Sequence, residues 1–458
     1  MTKQENPLLL ACVFWLSGTV HAQTAGLTVQ EAVRQALEKY PATQVSTEQA
    51  SAAAAAITLA RTAYLPRVDF LGQVNRATRN NIFGMLLPQT VLPTISGPPH
   101  PFNDLTSVWG SATGMLVSWE PFDFGFRGAN VDAATAGRRR ADAGVTRTRF
   151  EVSAITADAF LTLLAAQQTA VAAQAGVERS RVLLNIVEAL VKAQLRPGAD
   201  ASRNRAELAL AQTQLIQAQQ AIRIARASLA QMLGAAPAQI SVVPGPLLQA
   251  PQGLDLAAET AAGHPALQEQ KAAIEEAQSR ARVLDKLYYP RFNLQGASYA
   301  RGTGARNDFT TRGGAAGLGP NIYNWGVGVT VTFPAFELFS IRARKEIEVH
   351  RERSEEARYR QILQDLNGNL EKAKAALEGA LRTAEQTPIQ LQAARDAEQQ
   401  ATARYRAGLG NLVDVAEAQR LVTQAEIDDS LARLNVWRGL LAVSAAQGDL
   451  DPFLQRSR

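Results

Sequence analysis

Period-two alternation marks short stretches of this chain, and much longer stretches of helical periodicity lie between them. Trp325, Val327, Val329, Val331 and Phe333 alternate with Asn324, Gly326, Gly328, Thr330 and Thr332. Trp109, Thr113, Met115, Val117 and Trp119 alternate with Gly110, Ala112, Gly114 and Ser118. Each run predicts a β-strand with one apolar face and one small or polar face. Two further stretches, 68–75 and 292–299, alternate less cleanly. Strands are expected over 65–77, 107–120, 290–301 and 322–334. The aromatics near the strand ends, Trp109, Trp119, Trp325 and Phe333, fit the interfacial positions of a lipid-facing barrel strand. A soluble sandwich strand with one buried face alternates in the same way. However, four strands of about ten residues can neither close a barrel nor bury both their faces within one chain.

The helical stretches are long. Residues 29–62 and 265–287 predict helices, and the alanine run 52–56 fits close helix packing. No proline interrupts 126–195, a length that would reach roughly 105 Å as one helix. Beyond Gly198, Leu208, Leu215, Ile222 and Leu229 recur at sevenfold spacing, with Ala211, Ala218, Ala225 and Met232 three residues after each. Large residues facing small ones in a heptad seam predict a tightly packed coiled-coil return helix. Ile427, Leu434 and Leu441, with Leu431 among them, give the second such seam.

These elements occur twice. Tyr40-Pro41 and Pro66 are matched by His264-Pro265 and Pro290 at an offset of 224 (265 − 41 and 290 − 66). Gly114 to Phe122 matches Gly328 to Phe336 at 214, and Arg196-Pro197-Gly198 matches Arg406-Ala407-Gly408 at 210. An internal repeat of this kind governs the fold. The first copy is expected over 23–242 with a hairpin tip near 196–200, and the second over 254–458 with a tip near 406–411. The Pro/Gly-rich segment 243–253 would link them.

Composition narrows the function. The 458 residues are 46% hydrophobic and 19% charged with a formal charge of +5, and the scattered Lys and Arg form no basic groove for nucleic acid. Residues 1–22 read as an export signal, with an apolar run over 7–20 and a small residue at Ala22. Leu9-Leu10-Ala11-Cys12 is similar to a lipoprotein cleavage box, but the apolar run before Cys12 is short, which favours cleavage after Ala22. Cys12 is the sole cysteine, so that cleavage would leave a chain without disulfide or thiolate chemistry. The four histidines, His21, His100, His264 and His350, have no metal-ligand spacing, and no nucleophile elbow occurs. No enzyme is expected. The loops 77–106, with an apolar tract at 83–87, and 301–321 connect the strand pairs, and the glycine-rich 313–317 is expected as a mobile loop rather than a phosphate cradle.

Short helix, strand, loop, strand, long helix, tight turn and return helix, run twice, resembles the TolC-like outer-membrane efflux proteins. The resemblance covers essentially the whole chain after the signal. Its most specific residues are Tyr405-Arg406-Ala407-Gly408-Leu409 followed by Leu412-Val413-Asp414-Val415-Ala416-Glu417-Ala418. They are similar to the family's tyrosine–glycine turn and acidic helix start at the periplasmic tip. The first copy keeps the turn in Leu195-Arg196-Pro197-Gly198-Ala199 but has Asn204 in the place of Asp414.

The resemblance implies an α+β membrane protein of the Gram-negative outer membrane. Four strands per protomer would close a homotrimeric β-barrel, continued by a long periplasmic α-helical barrel of coiled-coil hairpins. It implies a passive conduit in a tripartite efflux or type I secretion system, without a cofactor. Its partners would be a periplasmic adaptor (membrane fusion) protein, an inner-membrane RND or ABC transporter, and outer-membrane lipid. Adaptor contact would fall on Arg196, Pro197, Gly198, Ala199, Ala407, Gly408 and Leu409. Asp414 and Glu417, three apart and so on one helix face, would form a pore constriction with Asn204, where the family has paired aspartates. Tyr405 and Arg406 would latch the tip. The competing reading, a periplasmic coiled-coil adaptor or scaffold, would carry one hairpin flanked by β-segments rather than two strand-bearing repeats.

Overall fold

A computed structural model describes residues 26–78, 102–103, 105–251, 261–306, 308, 310–333 and 335–458. The signal segment with Cys12 and the apolar tract 83–87 lie outside the described residues. The first repeat comprises α1 (Val29–Lys39), α2 (Pro41–Thr62), β1 (Arg67–Thr78), β2 (Ser107–Phe122), α3 (Phe126–Lys192) and α4 (Gly198–Leu233). The second comprises α5 (Pro265–Asp285), β3 (Arg291–Thr303), β4 (Ile322–Thr332), α6 (Leu338–Arg406) and α7 (Leu412–Gln447), followed by the short α8 (Asp451–Arg456).

The single helix expected over 29–62 is two. Tyr40 is extended (φ −70°, ψ 125°) and Pro41 opens α2, because a proline ring disfavours helical backbone in the residue before it. His264 and Pro265 repeat the device at the start of α5. There the Ala266 N–H donates to His264 Nδ1 at 3.1 Å, so the imidazole caps the helix.

The strands form one antiparallel sheet in the order β1-β2-β3-β4. Its register explains why β1 and β3 alternate poorly in sequence. Phe70 pairs with Met115, Met115 with Ser298, and Ser298 with Trp325, while Val117 pairs with Gly296 and Gly296 with Val327. The small residues of β3 therefore stand on the apolar face, between large residues of neighbouring strands. The opposite face holds Gln73, Asn75, Gln295, Asn293, Asn324 and Thr330. Trp325 is 81% exposed and Phe70 equally so, an apolar surface that a water-soluble sheet would bury.

α3 and α6, of 67 and 69 residues, each reach roughly 100 Å at 1.5 Å per residue. Each returns as a helix of 36 residues, α4 or α7. Ala218, Ala225, Leu229 and Met232 of the α4 seam are buried, and α4 packs along α3. The helices meet closely where side chains are small. A Cβ on Gly439 of α7 would lie 2.9 Å from Leu377 Cα of α6, and one on Gly176 of α3 would lie 2.9 Å from Thr423 Oγ1 of α7.

The main core gathers α1, the middle of α3, the ends of α4 and α7, and Phe453 of α8. A stretch of α3 long and apolar enough to cross a membrane is half buried within the protein, so its apolarity belongs to this core. The segment after α4 is built into it as well. Leu27 N–H donates to Ser241 O at 2.7 Å, Val243 N–H to Leu27 O at 2.9 Å, and Trp437 Nε1–H to Gln249 O at 2.9 Å.

The glycine-rich loop touches the sheet at its Gly317 end. Gly317 (φ +98°) has its Cα so close to Trp109 O that an added Cβ would lie 2.1 Å away, and Gly302 meets Gly319 O equally tightly. Only residues without a Cβ allow that backbone contact.

Candidate functional site at the hairpin tips

Both long hairpins turn at the same end, and the turns differ from the sequence alignment by one helical turn. Gly408 (φ +78°) takes the left-handed position after α6, and in the first hairpin Gln194 (φ +59°) takes it. Gly198, expected in that role, is instead the first residue of α4, with Pro197 as its N-cap. Gln194 and Gly408, Pro197 and Asn411, and the helix-ending Gly234 and Gly448 are all 214 apart (408 − 194, 411 − 197, 448 − 234). The repeat offset is therefore 214 at the tips, not 210. Asp414 consequently corresponds to Asp200 (414 − 214), in the first turn of α4, and not to Asn204.

Burial agrees with that correction. Asn204 is 1% exposed with its Nδ2 unpartnered among the described residues, so it offers nothing to the surface of the protomer. Asp414 and Glu417 are exposed on α7. The Asp414 backbone N–H donates to Asn411 Oδ1 at 2.9 Å, capping α7. The Asp414 carboxylate has no ion pair among the described residues, whereas Glu417 pairs with Arg420 Nη2 at 3.0 Å. Arg420 also lies 3.7 Å from Glu207 of α4.

Tyr405 is 1% exposed and belongs to a small core with Leu183, Val187, Ala201, Leu412 and Val415. Arg406, expected with it as a tip latch, is exposed. Arg196 of the first hairpin lies beside the tyrosine, its guanidinium 4.6 Å from the ring centroid. Arg196 Nη2 also donates to Tyr405 O at 3.1 Å and Gly410 O at 3.4 Å. Burial, followed by the negative charge of Asp200, pushes the phenol pKa above its usual value. The turn of the first hairpin is thus tied to the turn of the second by Arg196, with Asp200 facing the tyrosine. Sequence reading missed both partners, because a contact between hairpins leaves no spacing signal. Pro197, Gly198, Ala199, Ala407 and Leu409 lie exposed around this join.

Above the tip, a second polar contact links the hairpins. Glu426 of α7 receives Arg179 of α3 at 2.9 Å and Arg395 of α6 at 3.5 Å, and Arg179 also donates to Thr423 Oγ1 at 2.7 Å. Arg179 and Glu426 are largely buried, where a charge-assisted pair is stronger than at the surface. Between α4 and α7, over a floor of Ala173, Gly176 and Ser180, runs a groove of about 670 Å³ that includes Glu207 and Arg420. No cluster of acids, histidines and cysteines suited to a metal occurs among the described residues.

At the other end of the molecule, the strand aromatics stand at two levels. Trp109 and Trp325 lie toward the strand-connecting loops, and Trp119 and Phe333 toward the helices. The ten residues from Trp109 to Trp119 span roughly 33 Å along a strand, or about 25 Å of height at barrel tilt, the height of an outer-membrane apolar band. Trp119 Nε1–H donates to Tyr64 O at 3.1 Å, and Arg76 lies over the Trp109 ring at 5.3 Å.

The family model described as outer membrane efflux protein matches residues 32–235 and again 256–449. The chain belongs to the outer membrane efflux protein family. The two matched segments coincide with the two repeats of the fold. Among solved structures, the Campylobacter jejuni CmeC outer membrane channel is 15% identical, with 94% of this chain and 89% of that one covered at a TM-score of 0.73. The Vibrio cholerae outer membrane protein VceC is likewise 15% identical, covering 92% and 96% at 0.71. The open state of the Neisseria gonorrhoeae MtrE outer membrane channel is 17% identical, covering 92% and 89% at 0.69. At these identities the likeness is one of fold. No curated protein sequence matches the chain. The family places this efflux protein in the outer membrane.

Proposed function

We propose that three copies of this efflux protein form a passive conduit that carries solutes from the periplasm to the exterior, as the outer-membrane element of a tripartite efflux or type I secretion assembly. One observation carries the reading. A four-stranded open sheet with an apolar outer face is joined, in one chain, to two hairpins roughly 100 Å long. The sheet has two unpaired edges, β1 and β4. Lipid offers those backbone groups no hydrogen bonds, so closure by further copies is the stable arrangement. A coiled-coil adaptor or scaffold has no use for such a sheet.

The hairpin tips would meet a periplasmic adaptor through the exposed residues around the Arg196–Tyr405 join, and the adaptor would couple the conduit to an inner-membrane RND or ABC transporter. Asp414, exposed and without an ion pair among the described residues, would contribute a ring of carboxylates that attracts cations and repels anions at the narrow end. Glu417 would add a weaker second ring, because Arg420 offsets its charge. The expected place of Asn204 in that constriction passes to Asp200.

Single-channel recording of the purified protein in a planar bilayer tests this. A cation-selective pore whose selectivity falls in the Asp414→Ala/Glu417→Ala variant supports both the channel and its constriction. A folded protein that forms no trimer and no pore would return the reading to a scaffold.

A further inference from the structure

An apolar cleft opens on the sheet at the end nearest the helices. Its volume is about 280 Å³, and Pro121, Phe122, Phe292, Leu294 and Val329 line it. The strand ladder explains its origin. Trp119 pairs with Leu294 and Phe122 with Phe292, so three steps of β2 (122 − 119) oppose two of β3 (294 − 292). Pro121 stands in the resulting bulge, where its missing N–H removes no regular ladder bond. A bulge bends its strand and increases the local twist, and the cleft lies beside it, over Phe292 and Leu294. Leu294 pairs with Val329, and both stand on the apolar face with Gly296 and Val327.

From the cleft toward the helices runs an aromatic path that ends at a cation. The Phe124 ring packs on Phe122 at 4.6 Å and stacks on Tyr289 at 5.1 Å. Phe124 holds a left-handed backbone (φ +51°) although it is not glycine, a strain that persists where packing fixes the residue. Lys286 Nζ lies 6.0 Å from the Tyr289 ring centroid, and its Cε is 4.0 Å from where a Cβ on Gly125 would stand. The acids beside it are engaged elsewhere, Asp285 with Lys345 and Asp123 with Arg127. Lys286 itself has no ion pair among the described residues.

We propose that the cleft and Lys286 hold a phospholipid of the leaflet on the helix side, with an acyl chain in the cleft and the phosphate at Lys286. The inference rests on the sheet facing lipid and goes beyond it by naming a retained lipid and its site. Trp119, opposite Leu294, stands at the helix-side aromatic level, where hydrocarbon gives way to headgroups. Leu294 therefore lies at the edge of the hydrocarbon, and Lys286, which precedes β3, lies beyond it. That is the order of chain and phosphate in a lipid of this leaflet, and Phe122, Phe124 and Tyr289 flank the path between them. A smooth apolar strand face is covered by any acyl chain, whereas a cleft that ends at an unpaired cation also selects the headgroup. A phosphate without an ammonium beside it, as in phosphatidylglycerol, complements that cation best.

Native mass spectrometry of the full protein, exchanged into lipid-free detergent and then titrated with phosphatidylglycerol in mixed micelles, tests the site. The wild type should retain the lipid as a discrete adduct. Val329→Trp, which fills the cleft, should abolish that adduct. Val327→Trp, similarly exposed on the same face but outside the cleft, should keep it. Lys286→Gln should weaken retention of phosphatidylglycerol about fivefold, the factor for one cation beside an anionic headgroup, and should leave phosphatidylcholine little changed. Equal loss or equal retention in the two tryptophan variants would overturn the cleft. Retention indifferent to Lys286→Gln would overturn the phosphate contact. An acyl mass on Cys12 that survives denaturation, with no exchangeable adduct, would give the cleft to a covalent lipid instead. A wild type that forms pores in planar bilayers yet retains no lipid would sink the site and leave the channel standing. One that forms neither pore nor adduct would remove the lipid-facing reading itself.

Discussion

Arg196, in the turn of the first hairpin, lies with its guanidinium 4.6 Å from the ring centroid of Tyr405 at the end of α6 and donates to the Tyr405 carbonyl at 3.1 Å. The contact joins the two tips through the ring and the backbone rather than through the phenol hydroxyl, which Asp200 faces but which has no hydrogen-bond partner among the described residues. Tyr405→Phe keeps both features and should leave resting conductance close to wild type. Arg196→Ala removes the cation over the ring, worth about 1–2 kcal/mol, and should raise the open fraction in planar bilayers about tenfold. A larger effect from Tyr405→Phe would move the latch to the hydroxyl and Asp200.

Asp414 and Glu417 should not contribute equally. Asp414 has no cationic partner among the described residues, whereas Arg420 sits 3.0 Å from Glu417. In reversal-potential measurements Asp414→Asn should reduce cation preference more than Glu417→Gln. Arg420→Gln, which frees Glu417, should increase it.

Helix spacing gives an opposed pair of glycine predictions. A Cβ at Gly439 would lie 2.9 Å from the Leu377 Cα and 3.0 Å from its Cβ, backbone-linked atoms that cannot rotate away. Gly439→Ala should destabilise the α6–α7 hairpin by about 1–3 kcal/mol. Gly379 of α6 has nothing within 4 Å, so Gly379→Ala should stabilise it by about 0.5–1 kcal/mol through the unfolded chain. Thermal melting followed by circular dichroism checks both, and equal shifts would refute the close approach.

His264 should make stability depend on pH. Burial lowers its pKa from the ordinary histidine value, although the Ala445 carbonyl opposes the shift. Its Nδ1 accepts the Ala266 N–H, so protonation there would remove the cap of α5. The unfolded chain binds the proton at higher pH than the folded one, so this contribution is present above the ordinary histidine range and is lost as pH falls through it. The melting temperature should drop between pH 7.5 and pH 5.5, and His264→Asn, which still caps the helix, should flatten the profile. The loss of a cap corresponds to about 1 kcal/mol.

The periodicities of the chain determined its element types, its two repeats and the coiled-coil return helices, because strands and long helices impress their spacing of apolar residues on sequence locally. The offset of 224 placed the two copies, and the tyrosine–glycine turn pointed to the functional end. Tertiary structure decided what no local pattern encodes. It moved the tip alignment by one helical turn, because Gln194, a non-glycine, holds the left-handed position that glycine holds in the second copy. It made Asp200 rather than Asn204 the repeat equivalent of Asp414, and it brought Arg196 onto the Tyr405 ring. The Arg196–Tyr405 contact joins residues 209 apart in the chain and is visible only once packing brings the hairpins together. The alternation in β1 and β3 was obscured for a related reason: glycine, serine and alanine on the apolar face are accommodated by large neighbours on adjacent strands, and only the sheet register reveals them.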